Sequence, residues 1–239
     1  MGGLANNLQG VRQRIRDAVE AAQRAPDSVR LIAVAKTFPA SAVLDALAAG
    51  QVDFGENYVQ EALDKIATVA AAGTDAAPTW HFIGPLQSNK TRAVATHFDW
   101  VHSVDRLKIA ERLSDQRPAD RGPLQVLIEV NVDGEASKSG VAPDAVAALA
   151  QAIVALPRLQ LRGLMTVPAP RPDAAGQRAA FAALRSLAVR LRAAGLPCEH
   201  LSMGMSADLE AAIAEGATMV RVGTAIFGTR AARTTEIAR

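Results

Sequence analysis

Short apolar runs rich in β-branched residues recur along the chain, each followed by a longer Ala- and Leu-rich stretch with charges at helical spacing. Such alternation calls for βαβ units, because parallel neighbours need a long crossover and a helix fills it. Strand-like runs fall at 30–35 (RLIAVA), 51–54 (QVDF), 79–83 (TWHFI) and 100–103 (WVHS). Four more fall at 125–131 (QVLIEVN), 160–165 (QLRGLM), 199–202 (EHLS) and 218–222 (TMVRV). Helices are expected near 40–49, 57–72, 88–97, 105–116, 143–155, 174–194 and 206–215, with an extra amphipathic helix at about 4–25 before the first strand. Eight strands and seven intervening helices predict an α/β fold of the (β/α)8 TIM-barrel type; an open doubly wound sheet is the alternative. The length of 239 residues suits one barrel, so a single domain over 1–239 is expected. The loops at 73–78, 117–123 and 168–176 are too short to separate independent units.

Composition narrows the function. With 26 basic against 24 acidic residues spread along the chain, no basic block for nucleic acid is present. Cys198 is the single cysteine, which removes a disulfide framework and a Cys-rich zinc site and points to a reducing compartment. No window reaches the run of about 18 apolar residues that a membrane span needs. The first fifteen residues lack the apolar core of a signal peptide, and Asn6 stands where a myristoylation signal wants Ser or Thr. A cytoplasmic protein is expected.

In a barrel, chemistry is carried at the carboxyl ends of the strands. The first junction offers Lys36, directly after an apolar strand. Partial desolvation lowers a lysine's pKa and frees the amine to form an imine with an aldehyde; a snorkelling lysine is the bland alternative. The last two junctions favour the first reading, since barrels often bind phosphate with the loops after strands 7 and 8. After strand 7, Ser202 and Ser206 bracket Met-Gly-Met, and Ser206 is expected to cap a helix whose free N–H groups face an anion, although Asp208 and Glu210 in its first turn compete for that role. After strand 8 come Arg221, Gly223 and Thr224. Glycine permits close backbone approach, and the hydroxyl is a donor. An amine beside two phosphate loops suggests an aldehyde-bearing phosphate ligand, and pyridoxal 5′-phosphate (PLP) has that chemistry. Arg221 facing a pyridine nitrogen would keep it unprotonated. Asn57, after strand 2, either donates to a ring hydroxyl or caps a helix. Met165, ending strand 6, either packs on an aromatic ring or belongs to the core. His81 reads as a core histidine, and His97, His102 and His200 show no metal-ligand spacing.

The segments VAKT at 34–37, FGENYVQE at 54–61, WHFIGPLQSNK at 80–90, SKSG at 137–140, RGLMTVPAP at 162–170 and the long run from Ser202 to Gly228 resemble the pyridoxal phosphate homeostasis (YggS/PROSC) family, in order and over nearly the whole chain. The resemblance implies a PLP fold type III barrel like the N-terminal domain of alanine racemase, with PLP held as an internal aldimine on Lys36. It also implies a phosphate cradle from Ser202, Ser206, Gly223 and Thr224, with Arg221 at the pyridine nitrogen and Asn57 and Met165 near the ring. A carrier that buffers PLP or delivers it to apo PLP enzymes is one expectation. An amino-acid racemase is the other, but it needs a second base, and Tyr58 is the sole tyrosine. A cofactor-free, aldolase-like imine enzyme is a third. No C-terminal β-domain of the kind that builds the racemase dimer follows strand 8, so a monomer is expected.

Overall fold

The computed structural model describes residues 2–74, 76–135 and 138–228. Helix α1 (Gly2–Ala21) leads into β1 (Arg30–Val34), α2 (Ala40–Ala48), β2 (Asp53–Glu56), α3 (Val59–Ala71) and β3 (Thr79–Phe82). After these come α4 (Thr91–His97), β4 (Trp100–Val104), α5 (Leu107–Gln116), β5 (Leu124–Glu129) and α6 (Val146–Val154). The chain continues through β6 (Leu159–Met165), α7 (Ala174–Ala193), β7 (His200–Ser202), α8 (Leu209–Ala214), β8 (Met219–Val222) and α9 (Thr224–Phe227).

The strands run in sequence order around a closed barrel, and β1 pairs in parallel with β8, placing Ile32 beside Arg221. Closure excludes the open doubly wound sheet. Strand periodicity divides the apolar residues into two cores. Leu31, Ala33, Val126, Ile128, Val220 and Val222 pack with the helices, whereas the alternating Ile32, Leu127 and Met219 join Trp100 and Met165 in a separate cluster within the barrel. The extra helix α1 lays a stripe of Leu8, Val11, Ile15 and Val19 onto the outer core. Arg12 ties it to the end of α2 by donating to the carbonyls of Ala49 (3.1 Å) and Gly50 (2.7 Å).

Two boundaries differ from the sequence reading for identifiable reasons. The second strand begins at Asp53 because the buried Gln51 amide donates instead to the carbonyls of Leu31 and Asp53, both at 2.8 Å. The helix expected from 206 begins at Leu209 because Asp208 accepts from the backbone of Met205 at 2.6 Å and closes a turn first. Among the described residues, no helix is long and apolar enough to cross a membrane.

Candidate functional site

A cavity of about 360 Å³ opens at the carboxyl end of the barrel, and Lys36, Asn57, Ser206, Arg221, Gly223 and Thr224 share its walls. Lys36 sits in the turn that leaves β1, where the Phe38 N–H donates to the Ala35 carbonyl at 3.1 Å. The next residue, Thr37, has φ 68°, a left-handed conformation that is costly for a β-branched side chain. Neighbouring groups hold this turn in place. The Thr37 N–H donates to the Glu61 carboxylate, and Lys65 Nζ donates to the Ala35 carbonyl at 2.7 Å and to Glu61 at 3.2 Å. Lys65 also forms an ion pair with Glu56, with both side chains buried. Burial pushes the Glu56 carboxyl up to about 7, against the downward pull of Lys65.

Asn57 does not cap α3; Tyr58 takes that position without a side-chain cap. Instead, the Asn57 Oδ1 is buried with no hydrogen-bond partner among the described residues. Gly84 secures the Asn57 backbone from behind, since a Cβ there would lie 2.4 Å from the Asn57 carbonyl oxygen. On the opposite wall, the loop after β7 turns at Gly204, which has φ 92° and leaves no room for a side chain against Ala212. Ser206 is not a helix cap, because α8 begins at Leu209 with Asp208 in the cap position. Arg14 of α1 pins its loop by donating to the Ser206 carbonyl at 3.0 Å.

Arg221 enters the cavity from β8 with its guanidinium buried. Its Nη1 donates to Ser202 Oγ at 2.6 Å and its Nη2 to the Thr166 carbonyl at 2.9 Å. Burial lowers its pKa to about 10 while Glu129 and Asp208 oppose the shift, so it stays cationic at neutral pH. Two expected residues lie elsewhere. Ser202 has its hydroxyl inside the barrel between Arg221 and His102 rather than in the cavity wall. Met165, in register with Ser202, points into the interior cluster with Ile32, Trp100, Leu127 and Met219. Both side chains are buried in the barrel interior and are not among those lining the cavity.

Glu56, Lys65, His102 and Glu129 were not singled out as site residues by the sequence reading. Lys65 had a detectable signal, because it lies on the buried stripe of α3 with Val59, Ala62 and Val69. Glu129 ends β5, and its carboxyl is pushed up to about 7 by burial and by Asp105, with Arg221 pulling down. At the exit of β5, Asn131 and Lys138 are engaged within their own loop, with Glu135 and Asp133 respectively. Ser137 of the SKSG segment lies outside the described residues. Among the described residues, no group of three or more His, Cys, Asp or Glu side chains is placed to hold a metal ion. Cys198 is buried, and burial raises its thiol to about 11.

A parallel eight-stranded barrel with a lysine on its first strand exit and an arginine on its last defines the class of the alanine racemase N-terminal domain, whose family model matches residues 7–231. Within that class, the chain belongs to the pyridoxal phosphate homeostasis protein family. The Pseudomonas aeruginosa protein of that name is 60% identical over 230 residues, covering 96% of this chain and 97% of its relative. An Escherichia coli homologue of the same name is 52% identical over 235 residues, covering 96% and 98%. The solved structure of PipY from Synechococcus elongatus with PLP bound superposes with a TM-score of 0.80 at 40% identity, covering 94% of this chain and all of that one. Alanine racemase from Corynebacterium glutamicum shares the fold, with a TM-score of 0.65 at 18% identity over 95% of this chain and 61% of the racemase.

Proposed function

We propose that the chain holds PLP reversibly on Lys36 and thereby buffers it or delivers it to apo PLP enzymes. The observation that carries this reading is the convergence of Lys36, Asn57 and Arg221 with Ser206, Gly223 and Thr224 on one cavity. The donor set suits the cofactor group by group. The Lys36 amine captures an aldehyde with loss of water. Asn57 would serve the ring hydroxyl, and Arg221, being cationic, would leave a pyridine nitrogen unprotonated and so disfavour carbanion chemistry. Ser206, Thr224 and the backbone at Gly223 would hold the phosphate. When bound, PLP supplies the electrophilic aldehyde and an electron-accepting ring. The relative solved with PLP bound supports PLP as the ligand.

Among the described residues, the racemase alternative finds no tyrosine to act as second base in the cavity wall: Tyr58 is 56% exposed and is not among the lining residues. We further propose that the protein is a single cytoplasmic domain acting as a monomer, a state that sedimentation of the loaded protein tests. Borohydride reduction of PLP-saturated protein tests the main reading. A stable label on Lys36 is expected, and Lys36→Ala is expected to lose it without unfolding, because the side chain lies at a strand exit. A wild-type protein without label refutes the reading. Rapid exchange of an amino acid's α-proton in deuterium oxide, with product of opposite hand, would replace the carrier with a racemase.

A further inference from the structure

Arg221 stands at one end of a file of polar side chains that crosses the barrel interior. Its Nη1 donates to Ser202 Oγ at 2.6 Å, and Ser202 Oγ lies 2.9 Å from His102 Nδ1. His102 Nε2 is 3.0 Å from His81 Nδ1, and His81 Nε2 is 2.9 Å from Asp53 Oδ1. The file thus steps from β8 through β7, β4 and β3 to β2. Ser202, His102 and His81 are completely buried, whereas Asp53 lies at the amino-terminal mouth, 3.5 Å from Arg30. His81 also stacks on Trp100, with ring centroids 5.6 Å apart.

With both rings neutral, the two ends fix where every proton lies. A guanidinium only donates and a carboxylate only accepts. Because Ser202 Oγ accepts from Arg221, its own O–H points to His102 Nδ1. His102 is then the Nε2–H tautomer and donates to His81 Nδ1, and His81 donates its Nε2–H to Asp53. Each contact has one donor and one acceptor, with both rings neutral. A further proton on either ring would put His102 in the Nδ1–H form and turn the Ser202 O–H away from it, reversing the file, and burial already holds both rings below the usual histidine range.

Aligned bonds of this kind polarise one another, so the Asp53 carboxylate strengthens Ser202 as an acceptor although it lies at the far mouth. That matters because the two hydrogen-bond acceptors of Arg221 inside the barrel, Ser202 Oγ and the Thr166 carbonyl, are neutral oxygens. We propose that Asp53, His81, His102 and Ser202 are positioning residues forming a one-way hydrogen-bond relay that fixes the orientation of the Arg221 guanidinium at the cavity. Its consequence for cofactor binding rests on the PLP reading above; the relay itself does not.

Nitrogen-15 NMR of histidine- and arginine-labelled protein without cofactor tests the relay directly. Wild type is expected to show His81 and His102 as neutral Nε2–H tautomers and separate, slowly exchanging Nη signals for Arg221. Asp53→Leu, which removes the terminal acceptor, is expected to merge the Arg221 signals and to raise the PLP dissociation constant about fivefold, the scale of one hydrogen bond's net contribution. Asp53→Asn keeps an acceptor without the charge and is expected to fall between the two. Thermal unfolding verifies that each variant is folded. An imidazolium or an Nδ1–H tautomer at either ring in wild type overturns the proposal, as does a folded Asp53→Leu protein with wild-type Arg221 signals. If wild type takes up no PLP, the carrier reading fails, while the tautomers and the Arg221 signals still decide the relay.

Discussion

Replacing Lys65 with Met is expected to cost more stability at high pH than at low pH, and the reason lies in Glu56. Methionine matches the lysine stem and suits a helix, so the change removes only Nζ and its bonds to the Ala35 carbonyl, Glu56 and Glu61. The Glu56 carboxyl titrates near 7 in the folded protein against an ordinary 4.5, so its contribution is complete below 4.5 and declines as pH rises through 7. Without the neighbouring cation its folded pKa climbs further, and the decline continues where wild type has levelled off. At pH 5.5 the carboxyl is protonated in both proteins, and the loss is that of the bonds to Ala35 and its neighbours, about 1–3 kcal/mol. At pH 8.5 the variant must retain a proton that wild type has released. At about 1.36 kcal/mol per pH unit above the wild-type value of about 7, this adds at most about 2 kcal/mol, giving a total in the range of broken buried ion pairs. Urea denaturation followed by circular dichroism at the two pH values measures both terms. The double variant Glu56→Leu/Lys65→Met is expected to recover much of the high-pH loss, because an apolar pair leaves no buried charge. Equal losses at both pH values, or no recovery in the double variant, refute the reasoning. The Lys65→Met protein is also expected to capture PLP more slowly, since Nζ braces the turn that carries Lys36 and the left-handed Thr37.

Two further predictions concern the barrel wall. Gly163→Ala is expected to destabilise by more than about 3 kcal/mol in chemical denaturation, because Gly163 has φ 151° and its Cβ would lie 1.9 Å from the His200 carbonyl oxygen; a loss under about 1 kcal/mol would show that β6 and β7 can separate there. Glu129→Gln is expected to gain stability relative to wild type between pH 5 and 7.5. The raised carboxyl of Glu129 stabilises wild type below 4.5 and loses that contribution as pH rises through about 7, whereas the amide does not titrate; a difference constant with pH refutes this.

The architecture was legible because parallel strands are buried on both faces and therefore stand out as apolar runs such as RLIAV and LQVLIE. The site was legible only where it sits at strand exits. Lys36, Arg221 and Gly223 follow or end apolar strands, and barrel geometry brings such positions together at one mouth. Depth was not legible. Ser202 and Met165 also end strands, but whether a terminal residue reaches the cavity or the layer beneath it depends on strand tilt and stagger, which are set by closure of the whole sheet. The relay was hidden for the same reason, since Asp53, His81, His102 and Ser202 approach one another only when the barrel closes. A barrel interior must be filled, and apolar residues suffice for that purpose alone. Here part of it is filled by a file of groups, each satisfied by its neighbour, that ends on the buried cation of the cavity. That pattern makes the interior of this barrel part of the site as well as its support.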